Sequence, residues 1–348
     1  MISTGAARTG RPPAGTAILG TGSCLPSYVV DNAEVGAPAG VDDAWIRAKT
    51  GIRRRRKAKP DQATSDLAVG AARAALESAG VGPRELSLVV VATSTPDSPQ
   101  PPTASVVADG LGVAPGTAAF DLNAVCSGFP FALSTAERIL RASDSRYALV
   151  VGADVYSRIL DPTDRRTAVL FGDGAGAVVL GPARPGRGLL AGRLAGFPAD
   201  RDLIEVPGGG SRHPVTARNL AAGRQYFTMN GRGVRDFVAS HVVPAIADFV
   251  GDCGYRPQDV SHFVPHQANG RMLDEMSAAL GLPEGRTRTS YRDLGNTGAA
   301  SVPVTLDLAA GAGELADGDL VLLAAFGGGM AMGLSLLAWQ DPRTTRTS

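Results

Sequence analysis

The chain contains several short apolar runs that predict β-strands. Many of the runs are continuous rather than alternating, which is typical of strands covered on both faces by other elements. In chain order the runs lie at residues 17–19, 86–92, 118–122, 147–153, 175–180, 263–264 with their flanks, and 320–325. This pattern favours sheets that are buried inside the protein.

Segments with apolar residues at helical spacing lie between these runs. Residues 65–79 are rich in Ala and Leu and end at Gly80, a residue type that commonly terminates a helix. Similar spacing is found at residues 129–142, 234–250, 272–280 and 302–310. Because strands and helices alternate along the chain, the sequence predicts an α/β fold built in layers.

The order of these elements indicates two similar halves. In each half a strand, a helix and a glycine-containing turn are followed by paired apolar strands, near residues 172–180 and again near residues 327–338. We therefore predict an N-terminal half at residues 16–185 and a C-terminal half at residues 186–348. Residues 1–15 are rich in Gly, Ala, Arg and Pro and are expected to form a mobile arm.

Residues 321–339 carry no charged side chain and are numerous enough to cross a membrane. The glycines Gly327, Gly328, Gly329 and Gly333 interrupt the stretch. Two buried strands joined by a glycine turn explain this pattern better than a membrane helix. We therefore expect no membrane association.

Composition narrows the possible partners. Lys and Arg number 34 and Asp and Glu number 33, so the formal net charge is +1. A chain this close to neutral has no global electrostatic attraction to nucleic acid or to a membrane surface. The three cysteines, Cys24, Cys126 and Cys253, are far apart and lack metal-ligand spacing, so neither a disulfide framework nor a zinc site is predicted. Such cysteine usage is typical of the reducing cytoplasm.

Cys126 lies where an apolar strand runs into a small-residue turn and a helix begins, in FDLNAVCSGFP at residues 120–130. This placement puts the thiol at a helix N-terminus, where free N–H groups and the helix dipole favour a thiolate. An exposed thiolate is a strong nucleophile for acyl transfer. The alternative is a small buried core residue, which is common for a free cysteine.

Two further polar residues follow strand or turn motifs in the second half. His266 ends an apolar strand in VPHQAN (residues 264–269), a position where α/β folds collect catalytic groups and where histidine serves as acid, base or hydrogen-bond donor. Asn296 lies in the tight turn GNTG (residues 295–298), from which its amide is able to donate to a developing oxyanion. The alternatives are a histidine that caps backbone groups and an asparagine that serves only the turn.

Three successive glycines follow the last predicted strand but one, in AFGGGM at residues 325–330. Such a turn lets backbone N–H groups point at a ligand oxygen, or simply lets two strands pack closely. The earlier run FGDGAG (residues 171–176) lacks the Lys and Ser or Thr of a phosphate-binding loop, and strand residues follow it rather than a helix. It is therefore a poor nucleotide-binding motif.

In this order the motifs closely resemble those of the β-ketoacyl-acyl carrier protein synthase III family, within the thiolase superfamily. The resemblance extends over roughly residues 17–338, almost the whole chain. The matching stretches are ILGTGSCLP (18–26), Trp45 with the following Ile, TGI (50–52), LVVVAT (88–93), AVCSGF (124–129), DPTDR (161–165), FGDGAGA (171–177), VPHQAN (264–269), GNT (295–297) and AFGGG (325–329).

The resemblance implies a thiolase-like fold, in which two pseudo-symmetric halves form a five-layer αβαβα sandwich, and a homodimer. It implies that Cys126 accepts a primer acyl group from acyl-CoA as a thioester. His266 and Asn296 would then donate hydrogen bonds to the thioester carbonyl of malonyl-ACP as carbon dioxide leaves, and the carbanion would attack the acyl group. The backbone N–H groups of Cys126 and Gly328 would form the oxyanion hole. Acyl-CoA and the acyl carrier protein are the implied partners, with no metal or redox cofactor.

Further positions match family residues that contact CoA or the carrier protein. By this resemblance Trp45 and Arg165 would sandwich the adenine ring. Asn269 would lie near the pantetheine arm, and Arg271 near the face that docks the carrier protein. The basic run RRRRK at residues 53–57 is richer in charge than is usual for the family. We interpret it either as a solvated edge or as a site that attracts the acidic carrier protein or the CoA phosphates.

Three departures from the family pattern concern primer choice and CoA affinity. Leu294 stands where His or Thr is frequent, Gly298 where Ser is usual, and Lys49 where Arg is frequent. Alternative functions that share the motifs are transfer of the Cys126-bound acyl group to an oxygen or nitrogen acceptor, priming of a polyketide pathway, and a catalytically inactive partner subunit. A thiolase is disfavoured because Phe326 occupies the neighbourhood of its second cysteine.

Overall fold

The computed structural model describes residues 15–342, which form two main β-sheets and their covering helices. The strands are β1 Thr16–Cys24, β2 Tyr28–Asp31, β3 Arg54–Lys57, β4 Leu86–Ala92, β5 Ala118–Leu122, β6 Tyr147–Asp154, β7 Gly174–Pro182, β8 Gly188–Gly196, β9 Ile204–Glu205, β10 Thr228–Met229, β11 His262–Pro265, β12 Leu320–Gly327 and β13 Ala331–Ala338. The helices are α1 Asn32–Ala39, α2 Asp43–Thr50, α3 Thr64–Ala79, α4 Thr103–Leu111, α5 Gly128–Ala142, α6 Ala217–Ala221, α7 Gly231–Phe237, α8 Val243–Asp252, α9 Gly270–Ala279, α10 Tyr291–Leu294 and α11 Ser301–Gly311. The strands and helices predicted from the sequence are thereby confirmed, with ends that differ by a few residues.

The two main sheets repeat one topology. The first has the strand order β1-β7-β6-β4-β5, and the second has the order β8-β13-β12-β11. In each sheet one parallel pairing (β4 with β6, β11 with β12) is followed by antiparallel pairings toward the edge formed by β1 or β8. The counterpart of β5 is reduced in the second sheet to a single parallel bridge between Phe263 and Thr287.

The predicted boundary at residues 185 and 186 falls in the connection between the two sheets, since β7 ends at Pro182 and β8 begins at Gly188. The predicted mobile arm, residues 1–15, lies outside the described residues except for Gly15. The π-helical segment Val238–Val242 joins α7 to α8, so that the single helix predicted at residues 234–250 is continuous but locally widened.

The helices and sheets stack in five layers, as predicted. One apolar cluster joins α3 and α4 to the outer face of the first sheet. A second cluster places α5 and α11 between the two sheets, with Phe129 and Leu306 fully buried there. A third packs α7, α8 and α9 on the outer face of the second sheet. Because the inner strands of both sheets are covered on both faces, they are apolar on both sides, which explains their continuous apolar runs.

The uncharged stretch at residues 321–339 forms β12 and β13, which pair antiparallel from Leu320 with Ala338 to Gly327 with Ala331. The two strands and glycine turn predicted there are confirmed. Within residues 15–342 none of the helices is both long and apolar enough to span a bilayer.

Candidate active site

Cys126 lies on a short turn between the first sheet and the central helix layer. The chain leaves β5 at Leu122, forms a 3-10 turn at Val125–Ser127 and enters α5 at Gly128, as the sequence predicts. Val125 adopts a φ of 49°, in the left-handed region, where a β-branched residue is strained by about 1–3 kcal/mol. Such strain persists only where the surrounding structure holds the turn, which here fixes the position of the thiol.

The Cys126 thiol is buried, so the exposed thiolate expected from the sequence is wrong. The residue is 5% exposed. Burial and, to a lesser extent, the Asp154 carboxylate raise the pKa of the thiol to about 12, although the Tyr156 hydroxyl opposes them. The helix N-terminus favours a thiolate by no more than about 2 kcal/mol, and desolvation of a sulfur anion outweighs that. Cys126 is therefore protonated at neutral pH.

Tyr156 contacts the thiol and was not singled out from the sequence. Its hydroxyl lies 3.8 Å from Cys126 Sγ and 3.1 Å from Ser94 Oγ. Its ring stacks on Phe171 with 4.4 Å between centroids and meets Phe227 edge to face. These contacts hold the phenol against the nucleophile and close one side of the site.

Asp154, at the carboxyl end of β6, is a second residue that the sequence analysis missed. Its buried carboxylate accepts hydrogen bonds from Ser94 N (2.9 Å), Thr95 Oγ1 (2.9 Å) and Ala299 N (2.7 Å). Burial raises the pKa of Asp154, and these hydrogen bonds lower it. The available signal was its position, because polar residues at the carboxyl ends of buried strands often serve a site. Asp154 connects the loop after β4 to the turn before α11.

His266 directly follows β11 and is held by both its backbone and its ring. Its N–H donates to the Ala324 carbonyl at 2.7 Å, and its Nδ1 lies 2.7 Å from Ser301 Oγ. The ring meets Phe326 edge to face, with 5.4 Å between centroids. Burial lowers the pKa of His266 to about 3, so the imidazole is neutral under ordinary conditions. Its ring bonds a serine side chain, which favours a role in the site over capping of backbone groups.

Asn296 is clamped by its backbone to the loop that precedes β7. Its N–H donates to the Leu170 carbonyl at 2.8 Å, and its carbonyl accepts from Gly172 N at 3.0 Å. Its side-chain Oδ1 accepts from Gly298 N at 2.9 Å. The amide oxygen thus serves the turn, as one interpretation of the sequence had it, while Nδ2 is the end of the side chain that is able to donate elsewhere.

The elements that carry these three side chains meet at one place. The turn at Gly298–Ala300 packs against the turn that carries Cys126. A β-carbon added to Gly327 would lie 2.7 Å from Cys126 Cβ and 2.8 Å from its backbone N, so only glycine permits this approach. Phe326, which borders the His266 ring, precedes Gly327, and Ser301 follows the Gly298–Ala300 turn. The Cys126 turn therefore contacts the elements next to Asn296 and His266, and the meeting of the three side chains themselves stays a prediction.

Gly328 lies in the turn between β12 and β13, beside the turn that carries Cys126. A β-carbon on Gly328 would lie 3.2 Å from Ile204 and 3.3 Å from Val125. The tight fit brings the Gly328 backbone close to the nucleophile turn. That the Gly328 N–H forms part of the oxyanion hole stays a prediction.

The residues expected to bind CoA or the carrier protein lie near the surface. The guanidinium carbon of Arg165 is 6.0 Å from the centroid of the Trp45 ring. Asn269 caps α9, because its Oδ1 accepts from Met272 N at 3.0 Å. The exposed Arg271 makes a 3.4 Å ion pair with Glu275.

Two of the unusual features of the sequence acquire a physical explanation. Gly298 has a φ of 59°, and a β-carbon there would overlap Asp154 Oδ2 and the Tyr156 ring, so a serine would not fit beside this tyrosine.

In the basic run, Arg55 is 2% exposed, which neither a solvated edge nor a docking site predicts. Arg54 is exposed but pairs with Asp293 at 2.9 Å. The interpretation of the run as surface charge is therefore wrong for Arg55, while Arg53, Arg54 and Lys57 are exposed.

A buried cysteine at a helix N-terminus, with a neutral histidine and an asparagine on neighbouring elements of a five-layer sandwich, is typical of an acyl-transfer enzyme of the thiolase fold. Family models agree with this class. The C-terminal model of 3-oxoacyl-[acyl-carrier-protein] synthase III matches residues 251–339, and a further model of the same enzyme matches residues 120–195.

Individual relatives place the chain within this class. An acetoacetyl CoA synthase, NphT7, of Streptomyces sp. (strain CL190) is 57% identical over 324 residues, which cover 92% of this chain and 98% of the relative. A β-ketoacyl-[acyl-carrier-protein] synthase III of Streptomyces coelicolor is 44% identical and covers 92% and 96% of the two chains. The crystal structure of the priming β-ketosynthase from the R1128 polyketide biosynthetic pathway superimposes with a TM-score of 0.87 at 34% identity, covering 96% and 100%. The chain belongs to the β-ketoacyl-acyl carrier protein synthase III family.

Proposed function

We propose that the protein catalyses the decarboxylative condensation of an acyl-CoA primer with malonyl-ACP through an acyl-Cys126 intermediate, giving a β-ketoacyl-ACP. The observation that supports this proposal is that the Cys126 turn packs against the turn after Asn296 and against the end of β12, which borders the neutral His266 ring. Neutral donors suit decarboxylation, because the carbanion forms when carbon dioxide leaves and no base has to remove a proton.

The first half-reaction loads Cys126. Its sulfur attacks the thioester carbonyl of acyl-CoA, and the bond from that carbonyl to the CoA sulfur breaks. The proton that burial keeps on Cys126 passes to the departing CoA sulfur, so that free CoA thiol leaves and no net charge remains. The N–H groups of Cys126 and Gly328 stabilise the oxyanion formed on the way, and loss of one such donor typically costs about 3–4 kcal/mol.

The second half-reaction uses His266 and Asn296. Both donate to the thioester oxygen of the malonyl group, which becomes an enolate as carbon dioxide departs. Its carbon attacks the acyl-Cys126 carbonyl, the bond from that carbonyl to the Cys126 sulfur breaks, and the released sulfur takes up a proton from water. A neutral imidazole donates from only one nitrogen. For Nε2 to donate, Nδ1 must accept from Ser301 Oγ, which lies 2.7 Å away. This chemistry requires no metal or redox cofactor.

Trp45 and Arg165 form the proposed clamp for the adenine ring of CoA. Ring atoms in contact lie about 3.5 Å apart, so a ring between the two side chains needs a spacing of about 7 Å. The present 6.0 Å distance requires Arg165, which is exposed, to move by about 1 Å. Asn269 would border the pantetheine arm, and Arg271 would contact the carrier protein after exchanging Glu275 for an acidic partner side chain.

We infer a homodimer assembled through β5. This strand is the edge of the first sheet, and its Phe120 and Leu122 are only partly buried. An apolar edge strand commonly pairs with another chain, and a second copy would continue the sheet. Sedimentation analysis should give the mass of two chains, and a Phe120→Lys variant should sediment as one.

The three free cysteines suit a reducing cytoplasm.

The experiment that tests the function separates the two half-reactions. Intact-protein mass after mixing with short acyl-CoAs should show an acyl adduct that is absent in Cys126→Ala and retained in Cys253→Ala, another free cysteine. Carbon dioxide release from malonyl-ACP by the acylated enzyme should follow. An adduct without carbon dioxide release would instead support transfer to an oxygen or nitrogen acceptor, and no adduct with any primer would support an inactive partner subunit.

A second candidate differs in the malonyl carrier. The 57% identical relative is named an acetoacetyl CoA synthase, which favours a malonyl group carried by CoA in place of the carrier protein. Parallel assays with malonyl-CoA and malonyl-ACP decide between the carriers. The product mass from a panel of primers then tests the alternative of a polyketide-priming synthase, for which the R1128 enzyme is the structural precedent.

A further inference from the structure

The strand β3, which contains most of the basic run, lies between two loops of the site. On one side Arg53 N donates to the Arg292 carbonyl at 2.7 Å, just before the turn that holds Asn296. On the other side the Arg56 carbonyl accepts from Asp173 N at 2.9 Å, just after the segment that pairs with Asn296. The strand and the residue before it therefore hydrogen-bond to segments on both sides of the Asn296 clamp, at Arg292 and at Asp173.

Arg55 is the residue of this strand that points inward. Its Nη1 donates to Asn32 Oδ1 at 2.7 Å, and its Nη2 donates to the Val169 carbonyl at 2.6 Å. This guanidinium forms no ion pair within residues 15–342, and the charge of Asp31 offsets only part of the burial that lowers the pKa of Arg55 to about 10. A buried cation without an ion-pair partner is costly, and an apolar side chain of similar size would avoid that cost. Stability alone therefore does not explain why an arginine occupies position 55.

The contacts of Arg55 lead directly to Asn296. Val169, whose carbonyl Arg55 holds, precedes Leu170, and the Leu170 carbonyl accepts from Asn296 N at 2.8 Å. Gly172 and Gly295 both lie beside the stem of Arg55, since a β-carbon added to them would come within 3.0 and 3.5 Å of its Cβ. Arg55 thus packs on both sides of the backbone bridge that fixes Asn296.

We propose that Arg55 is a positioning residue for Asn296: its guanidinium fixes the segment at residues 169–172, and this segment holds the Asn296 backbone in register so that the carboxamide reaches the malonyl thioester. The inference deepens the proposed function, since it rests on the role given to Asn296 there. A misplacement of about 1 Å is enough to cost a large part of a rate, so Arg55 affects the second half-reaction without contacting the substrate.

The test compares the two half-reactions in Arg55→Met, which preserves length and removes the hydrogen bonds. Carbon dioxide release from the malonyl donor should fall by roughly tenfold or more, while acyl-adduct formation stays within about twofold of wild type. In an Asn296→Ala background, Arg55→Met should have no further effect on carbon dioxide release, because the two residues act as one unit. Arg55→Lys, which keeps the charge but not the two-pronged geometry, should recover only part of the rate. It also serves if Arg55→Met does not fold.

The control is Arg256→Met, whose exposed ion pair with Asp259 contributes little. Both half-reactions should be unaffected in this control. Equal losses in both half-reactions of Arg55→Met, additive effects with Asn296→Ala, or an unchanged rate would each overturn the proposal.

Hydrogen exchange gives a readout that does not depend on the reaction. The amides of Asn296 and Gly172 should exchange at least about tenfold faster in Arg55→Met, while that of His266, bonded to β12, does not change. If wild type releases no carbon dioxide, the proposed function fails but the positioning role is still decided by these amides. Unchanged exchange at Asn296 would overturn it.

Discussion

The fit between Gly298 and the two residues beneath it, Asp154 and Tyr156, gives a sharp prediction for the variant Gly298→Ala. The β-carbon would fall closer than 3.0 Å to Asp154 Oδ2 and to the Tyr156 ring, at a φ of 59°. The left-handed conformation costs a non-glycine residue about 1–2 kcal/mol. Overpacking of a close-packed site costs about 1–3 kcal/mol. The free energy of unfolding should therefore fall by about 2–5 kcal/mol, which lowers the Tm of a chain of this length by about 3–7 °C.

Gly40→Ala is the matched control. Gly40 has a similar φ of 67°, but nothing lies within 4 Å of a β-carbon built there. It should lose only the conformational part, about 1–2 kcal/mol. Urea denaturation of both variants separates strain from packing.

A double variant shows which neighbouring residue the added β-carbon of Gly298→Ala strikes. Tyr156→Leu removes the ring edge that Gly298→Ala strikes, so the pair should be coupled by about 1 kcal/mol or more. The reasoning is refuted if Gly298→Ala costs no more than Gly40→Ala, or if the effects at positions 156 and 298 are additive.

Three further predictions concern the protons of the site. Ser301→Ala removes the partner of His266 Nδ1, so carbon dioxide release from the malonyl donor should fall by roughly tenfold or more; the control Ser290→Ala, a buried serine bonded to Thr305, should release it normally. Because burial raises the pKa of Cys126 to about 12, its alkylation by iodoacetamide should accelerate about tenfold per pH unit from neutrality upward; a plateau below pH 9 would show an ordinary thiol. Burial lowers the pKa of His266 from 6.5 to about 3. As the pH falls, the unfolded chain therefore binds a proton at this histidine before the folded chain does. Stability should be at its full value above pH 6.5 and fall as the pH drops toward 3, and His266→Gln should flatten this part of the curve in denaturation experiments; an identical pH dependence in the variant would contradict the assignment.

Each local motif of the site consists of consecutive residues, so the sequence alone was enough to predict it. The strand, turn and helix around Cys126 depend on apolar residues followed by small ones, and this order places the thiol at a helix N-terminus whatever surrounds it. The glycines at residues 327–329 likewise permit the close approach of β12 to Cys126. The spacing of apolar residues was enough to predict a layered α/β fold, because the inner strands are covered on both faces and therefore form continuous apolar runs.

The local sequence is therefore sufficient to show which residues end strands and occupy tight turns. The protonation of those residues and the contacts that support them depend on distant parts of the chain. Asp154 meets Ala299 across 145 positions of the chain, and His266 meets Ser301 across 35. Arg55 is buried although its neighbours in the basic run are more exposed. The physical reason is that pKa values and burial depend on every atom packed around a group, and those atoms come from segments whose proximity no local pattern encodes.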